Sequence, residues 1–168
     1  IAGPSGITLA STSSTCGSAN GTISVTGVTG GTAGYTYSKD GVNFQASTTF
    51  TGLLAGTHTI TVKDAKGCVV AKSLTLTNVA GPTAVAATSA AASCADNDGS
   101  ITAGAVTGGT APYTYSKDGS NFLPTAELTG MAAGNRTVYI KDANGCTFSK
   151  AVVIENIAGP TEFALTAT

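Results

Sequence analysis

The chain has 168 residues, of which 10% are charged and 6% aromatic, with a formal net charge of −1. Eight basic residues against nine acidic ones leave no surplus to neutralise phosphates, which excludes nucleic-acid binding as the main task. No apolar run approaches the roughly 18 residues of a membrane-spanning helix, and 42% apolar content with so little charge opposes disorder.

The 29 threonines and 22 glycines, with many Val and Ala and few long helix formers, point to strands and turns. Alternation of apolar and polar residues predicts strand A near 6–13, B at 21–28, C at 34–38 and a short C′ at 42–45. Strands E at 48–53, F at 57–63 and G at 68–78 follow. Ile23 and Val25 share one face of B, Ile60 and Val62 one face of F, and Leu74 and Leu76 one face of G. These are the expected core faces, with Tyr35, Tyr37 and Phe44 as their aromatic part. Lys39-Asp40-Gly41 and Asp64-Ala65-Lys66-Gly67 each place Gly late in a tight turn, where it can take positive φ and Asp can bond its own backbone. Seven short strands with turns every 8–12 residues predict an immunoglobulin-like sandwich.

This pattern occurs twice. Residues 3–80 align with 81–158 without a gap and with 34 identities in 78 positions. The second unit's core pairs are Ile101 and Ala103, Val138 and Ile140, and Val152 and Ile154. Gly3-Pro4 returns as Gly81-Pro82 and again as Gly159-Pro160. The expected organisation is therefore all-β: tandem immunoglobulin-like sandwiches arranged end to end, over 1–80 and 81–158, with 159–168 as the first strand of a third unit. The simplest expectation is a piece of a longer array. Pro after each junction glycine and a linker of two to four residues leave little slack between units, so the expected assembly is a rod growing by about 35 Å per unit.

Cys16 and Cys94 are 78 positions apart, as are Cys68 and Cys146. Two cysteines per unit, without CxxC or His-rich spacing, read as disulfides in an oxidising, extracellular setting. Four cysteines allow three pairings. Pairing within each unit, Cys16 with Cys68 and Cys94 with Cys146, is preferred because each small domain then stands alone; loop-closure entropy would make such a bridge worth about 4 kcal/mol. Immunoglobulin-like strand parity, however, puts the A–B loop and the F–G turn at opposite ends of the sandwich. On that parity Cys16 could instead pair with Cys146 across the junction, and pairing within each unit would require a different strand order around C′ and E.

Cys16 with Asn20-Gly21, Gly30-Gly31-Thr32, Tyr35-Thr36-Tyr37, Asp40-Gly41, Leu53-Leu54-Ala55-Gly56 and Val62-Lys63-Asp64-Ala65-Lys66-Gly67-Cys68 together resemble the SprB repeat of large Bacteroidota surface adhesins used in gliding. The second unit carries the same set, including Ala111-Pro112-Tyr113 and Asp142-Ala143-Asn144-Gly145-Cys146. Where many members have Trp after the tyrosines, this chain has Ser38 and Lys39. The resemblance implies type IX secretion and display on the cell surface, and brings no catalytic residues.

The remaining features with chemical potential each have a plainer reading. His58 is the only imidazole and is replaced by Arg136 in the second unit, so a shared catalytic His does not exist and an exposed strand residue is expected. Asp96-Asn97-Asp98-Gly99 has the alternate carboxylates of a calcium loop but lacks the closing Glu. Asp96 and Asp98, with Asp142, are the calcium candidates; no other metal or cofactor is expected. Thr57, Thr59 and Thr61 line one face as in ice-binding ladders, but Asn135, Thr137 and Tyr139 break the pattern in the second unit. Gly30-Gly31 and Gly108-Gly109 precede no helix and read as turns with unusual φ rather than a phosphate cradle. An isopeptide bond from Lys63 to Asn78, or Lys141 to Asn156, would need a buried lysine. The expected function is a non-enzymatic extracellular stalk or filament segment of a secreted adhesin. Its expected partners are neighbouring repeats, not nucleic acid and not the membrane interior. The alternatives are a module binding glycan or surface polymer, or a filament subunit joined by strand addition through Glu162–Thr168.

Overall fold

A computed structural model describes residues 2–94 and 96–159. The third-unit strand expected at 159–168, with Phe163, Leu165 and Ala167, falls from residue 160 onward outside them. The chain divides into two compact units, Ile1–Ala80 and Gly81–Thr168. Among the described residues there is no helix long and apolar enough to cross a membrane.

The first unit runs β1 (Pro4–Thr12), β2 (Ser14–Thr15), β3 (Gly21–Gly30), β4 (Thr36–Ser38), β5 (Thr49–Leu53), β6 (Gly56–Lys63), β7 (Val69–Leu76) and β8 (Asn78–Val79). The second repeats it as β9 (Pro82–Ala90), β10 (Ala92–Ser93), β11 (Gly99–Gly108), β12 (Thr114–Ser116), β13 (Glu127–Met131), β14 (Gly134–Lys141), β15 (Thr147–Ile154) and β16 (Asn156–Ile157). One antiparallel sheet has the order β1-β3-β5 and the other β4-β6-β7, and β2 pairs in parallel with β8. The second unit has the same three pairings. In strand letters this is A-B-E facing C-F-G, the arrangement expected of an immunoglobulin-like sandwich.

Period-two alternation selects the core. Ile23, Ile60 and Val62 are fully buried, as are Ile101, Val138 and Ile140 in the second unit. Phe50 and Leu53 of β5, opposite Ile23 and Gly21 in register, complete the first core with Ile7. Each such side chain contributes about 1.5–3 kcal/mol by leaving water. The outward face is held by hydroxyl pairs across strands, Thr57 with Thr75 at 2.9 Å and Thr59 with Ser73 at 2.8 Å.

Two expectations need correction. The short strand at 42–45 does not form, because its N–H groups are already taken. Asp40 Oδ1 accepts from Val42 N at 2.8 Å and Asn43 N at 2.7 Å, and only Gln45 bridges back to Tyr37. Phe44 is half-buried rather than in the core; Lys63 Nζ lies 3.9 Å from its ring centroid, a cation–π contact. Ser38, which stands where a Trp is common, is fully buried and holds this turn, its Oγ accepting from Gly41 N at 2.9 Å.

The edge of the first sheet carries a feature that periodicity does not show. An edge strand leaves carbonyls without ladder donors. Lys72 Nζ on β7 donates to Ile7 O on β1 at 3.0 Å, and Lys150 Nζ donates to Val85 O at 3.0 Å.

Candidate functional site: the two poles of each unit

Each unit has a leading pole, where its chain enters, and a trailing pole, where it leaves. At the leading pole of the first unit, Gly30 and Gly31 turn the chain with φ of 74° and 79°. A Cβ on Gly31 would lie 2.9 Å from Pro4 N and 3.1 Å from Asp64 Oδ2, so only glycine fits. Asp64 organises the rest. Its Oδ2 accepts from Thr32 N at 3.0 Å, and its Oδ1 accepts from Lys66 N at 3.0 Å and Cys68 N at 2.9 Å. The carboxylate thereby ties the β3–β4 loop to the β6–β7 turn and aims Cys68 outward. Asp142 does the same with Thr110 N at 3.0 Å, Asn144 N at 3.0 Å and Cys146 N at 2.8 Å. The N–H of Thr32, followed by those of Cys68 and Lys66, holds the Asp64 carboxyl below the usual carboxylate range against the opposing effect of burial.

The trailing pole is built from β2, the turn after it and β8. Cys16 N donates to Val79 O at 3.1 Å, and Gly17 N donates to Asn78 Oδ1 at 2.9 Å. Cys16 has φ of 57° and Cys94 of 50°, the only non-glycine residues with positive φ among those described. A left-handed cysteine costs on the order of 1 kcal/mol or more, and such strain collects where function requires a particular side-chain direction. Asn20 closes the turn, its Oδ1 accepting from Thr15 N at 2.8 Å and its Nδ2 donating to Thr15 Oγ1 at 2.7 Å. In the second unit Asp98 takes that place, accepting from Ser93 N at 2.7 Å and from Ser93 Oγ.

Cys16 and Cys146 are disulfide-bonded, whereas Cys68 and Cys94 are exposed thiols. The preferred pairing inside each unit does not survive this geometry. Cys16 lies at the trailing pole and Cys68 at the leading one, separated by the nine residues of β1, about 30 Å of strand. A disulfide needs Cα atoms roughly 4.4–6.8 Å apart.

The other candidates separate in the same way. Asp98 lies at the trailing pole and Asp142 at the leading pole of one unit, both engaged with backbone donors, and Asp96 N donates to Ser93 O at 2.7 Å. Among the described residues no three His, Cys, Asp or Glu side chains group to hold a metal. Lys63 sits on Phe44 at the leading pole, while Asn78 accepts from Gly17 at the trailing pole, so no isopeptide pair is assembled. His58 Nε2 lies 2.9 Å from Leu54 O, and Arg136 Nε donates to Ala132 O at 2.9 Å. Both anchor the connection before their strand, a shared role that the His-to-Arg exchange conceals in sequence.

Residues 8–43 and 86–121 each match the family described as the SprB repeat. The matched stretch runs from β1 through the Asp40 turn in one unit and from β9 through the Asp118 turn in the other. No curated protein matches the chain. Among solved structures, one similar chain belongs to "Crystal structure of mouse coronavirus receptor-binding domain complexed with its murine receptor", with 9% identity, TM-score 0.37, and coverage of 90% of this chain and 100% of that one. Another belongs to "Structure of surface layer protein SbsC, domains 4-9", with 19% identity, TM-score 0.32, and coverage of 95% of this chain and 31% of that one. At these TM-scores neither likeness carries an argument.

Proposed function

We propose that the chain, two segments of which match the SprB repeat, serves as a non-enzymatic segment of a large secreted adhesin, spacing an adhesive part from the cell in attachment or gliding. Export by the type IX route belongs to the same reading. The observation that carries it is that each unit receives its chain at one pole and releases it at the other, so that copies can be added in series without new connections. Gly3 lies at the leading pole, and Val79 accepts from Cys16 at the trailing one.

The surface chemistry agrees with a spacer. A module reading glycans usually presents aromatic faces to stack on sugar rings. Among the described residues every Tyr and Phe is buried or half-buried. Tyr35 and Tyr113 also commit their hydroxyls to the chain itself, donating to Gly30 O at 2.7 Å and Gly108 O at 2.9 Å. The strand-addition alternative depends on Glu162–Thr168, which lie outside the described residues.

Small-angle scattering on arrays of increasing unit number tests the spacer. The maximum dimension is expected to grow by about 35 Å with each added unit. A dimension that stops growing as units are added overturns the reading. Deleting the array from the parent protein, while keeping its ends, is expected to leave the protein on the surface but reduce attachment.

A further inference from the structure

We propose that the second unit holds a binding site for a sugar acid, in which one cavity takes the carboxylate and an adjoining cavity takes hydroxyls. The proposal concerns that unit alone and does not rest on the spacer reading.

A cavity of about 350 Å³ lies between the turn after β10 and the β13–β14 connection, lined by Asn97, Lys117, Gly130, Met131, Ala132 and Arg136. Two of these residues are cations and none is a carboxylate. Asp98, beside Asn97 in the chain, is committed to Ser93. Carbonyls hold the cations in place. Lys117 Nζ donates to Thr129 O at 2.8 Å, Arg136 Nε to Ala132 O at 2.9 Å and Arg136 Nη2 to Ala133 O at 3.1 Å. A carbonyl occupies an N–H but leaves the positive charge uncancelled. A guanidinium has five N–H groups and an ammonium three, so these bonds leave three donors on Arg136 and two on Lys117. The free edge of the guanidinium offers two parallel N–H groups to a pair of oxygens. Gly130 keeps the space open: its φ is 72°, and a Cβ there would lie 3.5 Å from Lys117 Nζ.

The rest of the lining selects the anion. Met131 and Ala132 make part of it apolar. A tetrahedral sulfate or phosphate carries oxygen on every side and would set one against carbon, where it finds no donor. A carboxylate sets its own carbon skeleton there and its two oxygens at the cations. Lys117 also lines a second cavity of about 350 Å³, with Asp118, Asn121, Leu123, Thr125 and Glu127 among its walls. Carboxylate, amide and hydroxyl groups there meet the hydroxyls of the same ligand and repel its acid group, so the opposite charge on the two sides of Lys117 fixes the ligand's direction. Recognition by charge and hydroxyls needs no exposed aromatic ring. The first unit lacks the arrangement. Ala19, Leu54 and His58 stand in place of Asn97, Ala132 and Arg136, and Thr49 in place of Glu127. Gln45, in place of Leu123, commits its Nε2 to Ser47 O at 3.0 Å and Thr49 O at 3.2 Å.

Titration of the whole isotope-labelled chain with galacturonate, followed by its amide resonances, tests the site. Saturable shifts are expected at Asn97, Gly130 and Ala132, while Ala19, Gly52 and Leu54 stay in place. Half-saturation is expected on the order of 1 mM, what about a dozen heavy atoms supply. Galactose, which has a hydroxymethyl in place of the carboxylate, and sulfate at equal ionic strength are expected to leave all of these resonances unmoved. Arg136→His installs the residue that the first unit already accommodates. At about pH 8, where an imidazole is largely neutral, it is expected to weaken galacturonate binding about tenfold. Glu127→Thr, likewise the first unit's residue, is expected to weaken it about threefold. Equal shifts in both units, equal binding of galactose, saturable binding of sulfate, or an affinity unchanged in Arg136→His overturns the proposal, and an affinity unchanged in Glu127→Thr overturns the hydroxyl cavity. Each of these results leaves the growth in length per unit untouched.

Discussion

The leading and trailing poles perform parallel tasks with different tolerance for substitution. At the leading pole the two units use the same residues, Gly30-Gly31-Thr32 with Asp64 and Gly108-Gly109-Thr110 with Asp142. Three backbone N–H groups from two loops converge there on one side chain, and only a carboxylate accepts from all of them. At the trailing pole the turn is Ser18-Ala19-Asn20 in one unit and Asp96-Asn97-Asp98 in the other. That turn asks for one acceptor and one group that can meet a hydroxyl, and a hydroxyl both donates and accepts. Asn20 therefore donates to Thr15 Oγ1 where Asp98 accepts from Ser93 Oγ. Residues are repeated where a single chemistry meets the demand and drift where two do.

The largest expected effect comes from breaking the strict pole. Asp142→Ala leaves three N–H groups without their acceptor and is expected to lower the stability of the second unit by about 3 kcal/mol, read from urea unfolding. A loss below about 0.5 kcal/mol would place the strictness elsewhere. Gly109→Ala, at φ of 73° and with its Cβ 2.9 Å from Pro82 N, is expected to cost about 1–3 kcal/mol in the same measurement. Lys150→Met keeps the aliphatic stem but removes the donor to Val85 O. The expected loss is on the order of 1.5 kcal/mol, and calorimetry showing none would make that ammonium a surface ornament.

Acid sharpens the contrast at the trailing pole. The Ser93 side chain, then its N–H, hold the Asp98 carboxyl below its ordinary range. A depressed folded pKa means that the contribution is present above the unfolded value near 4 and is lost as pH falls below it. Asn20 has no such titration. The Ser93 amide resonance is therefore expected to shift in acid while that of Thr15 stays, and matching behaviour would break the comparison. The smallest effect is expected from Asp98→Asn, which installs the first unit's residue: an unfolding midpoint unchanged at neutral pH.

Much of this was legible before any coordinates. Strand positions and the faces of β3 and β6 follow from alternation, since a buried strand face must repeat every second residue. Val42-Asn43-Phe44 alternates like a strand and so predicts C′, whereas Asp40 claims the N–H groups of Val42 and Asn43 that a ladder would need. Strand parity already sent Cys16 and Cys68 to opposite poles. The lysine tie from β7 to β1 had no local signal, because its acceptor is a backbone carbonyl 65 residues away.

The sequence by itself determined the duplication, the all-β class and the polar ends of each sandwich that carry sulfur, because repetition and period-two burial are written in residue order. Only the tertiary structure decided what each polar group meets. Asp64 and Asp142 became clasps between two loops, and Gly3 and Gly81 came to lie beside the sulfurs of their own units. Both outcomes depend on distances between loops far apart in the chain, which residue order does not contain.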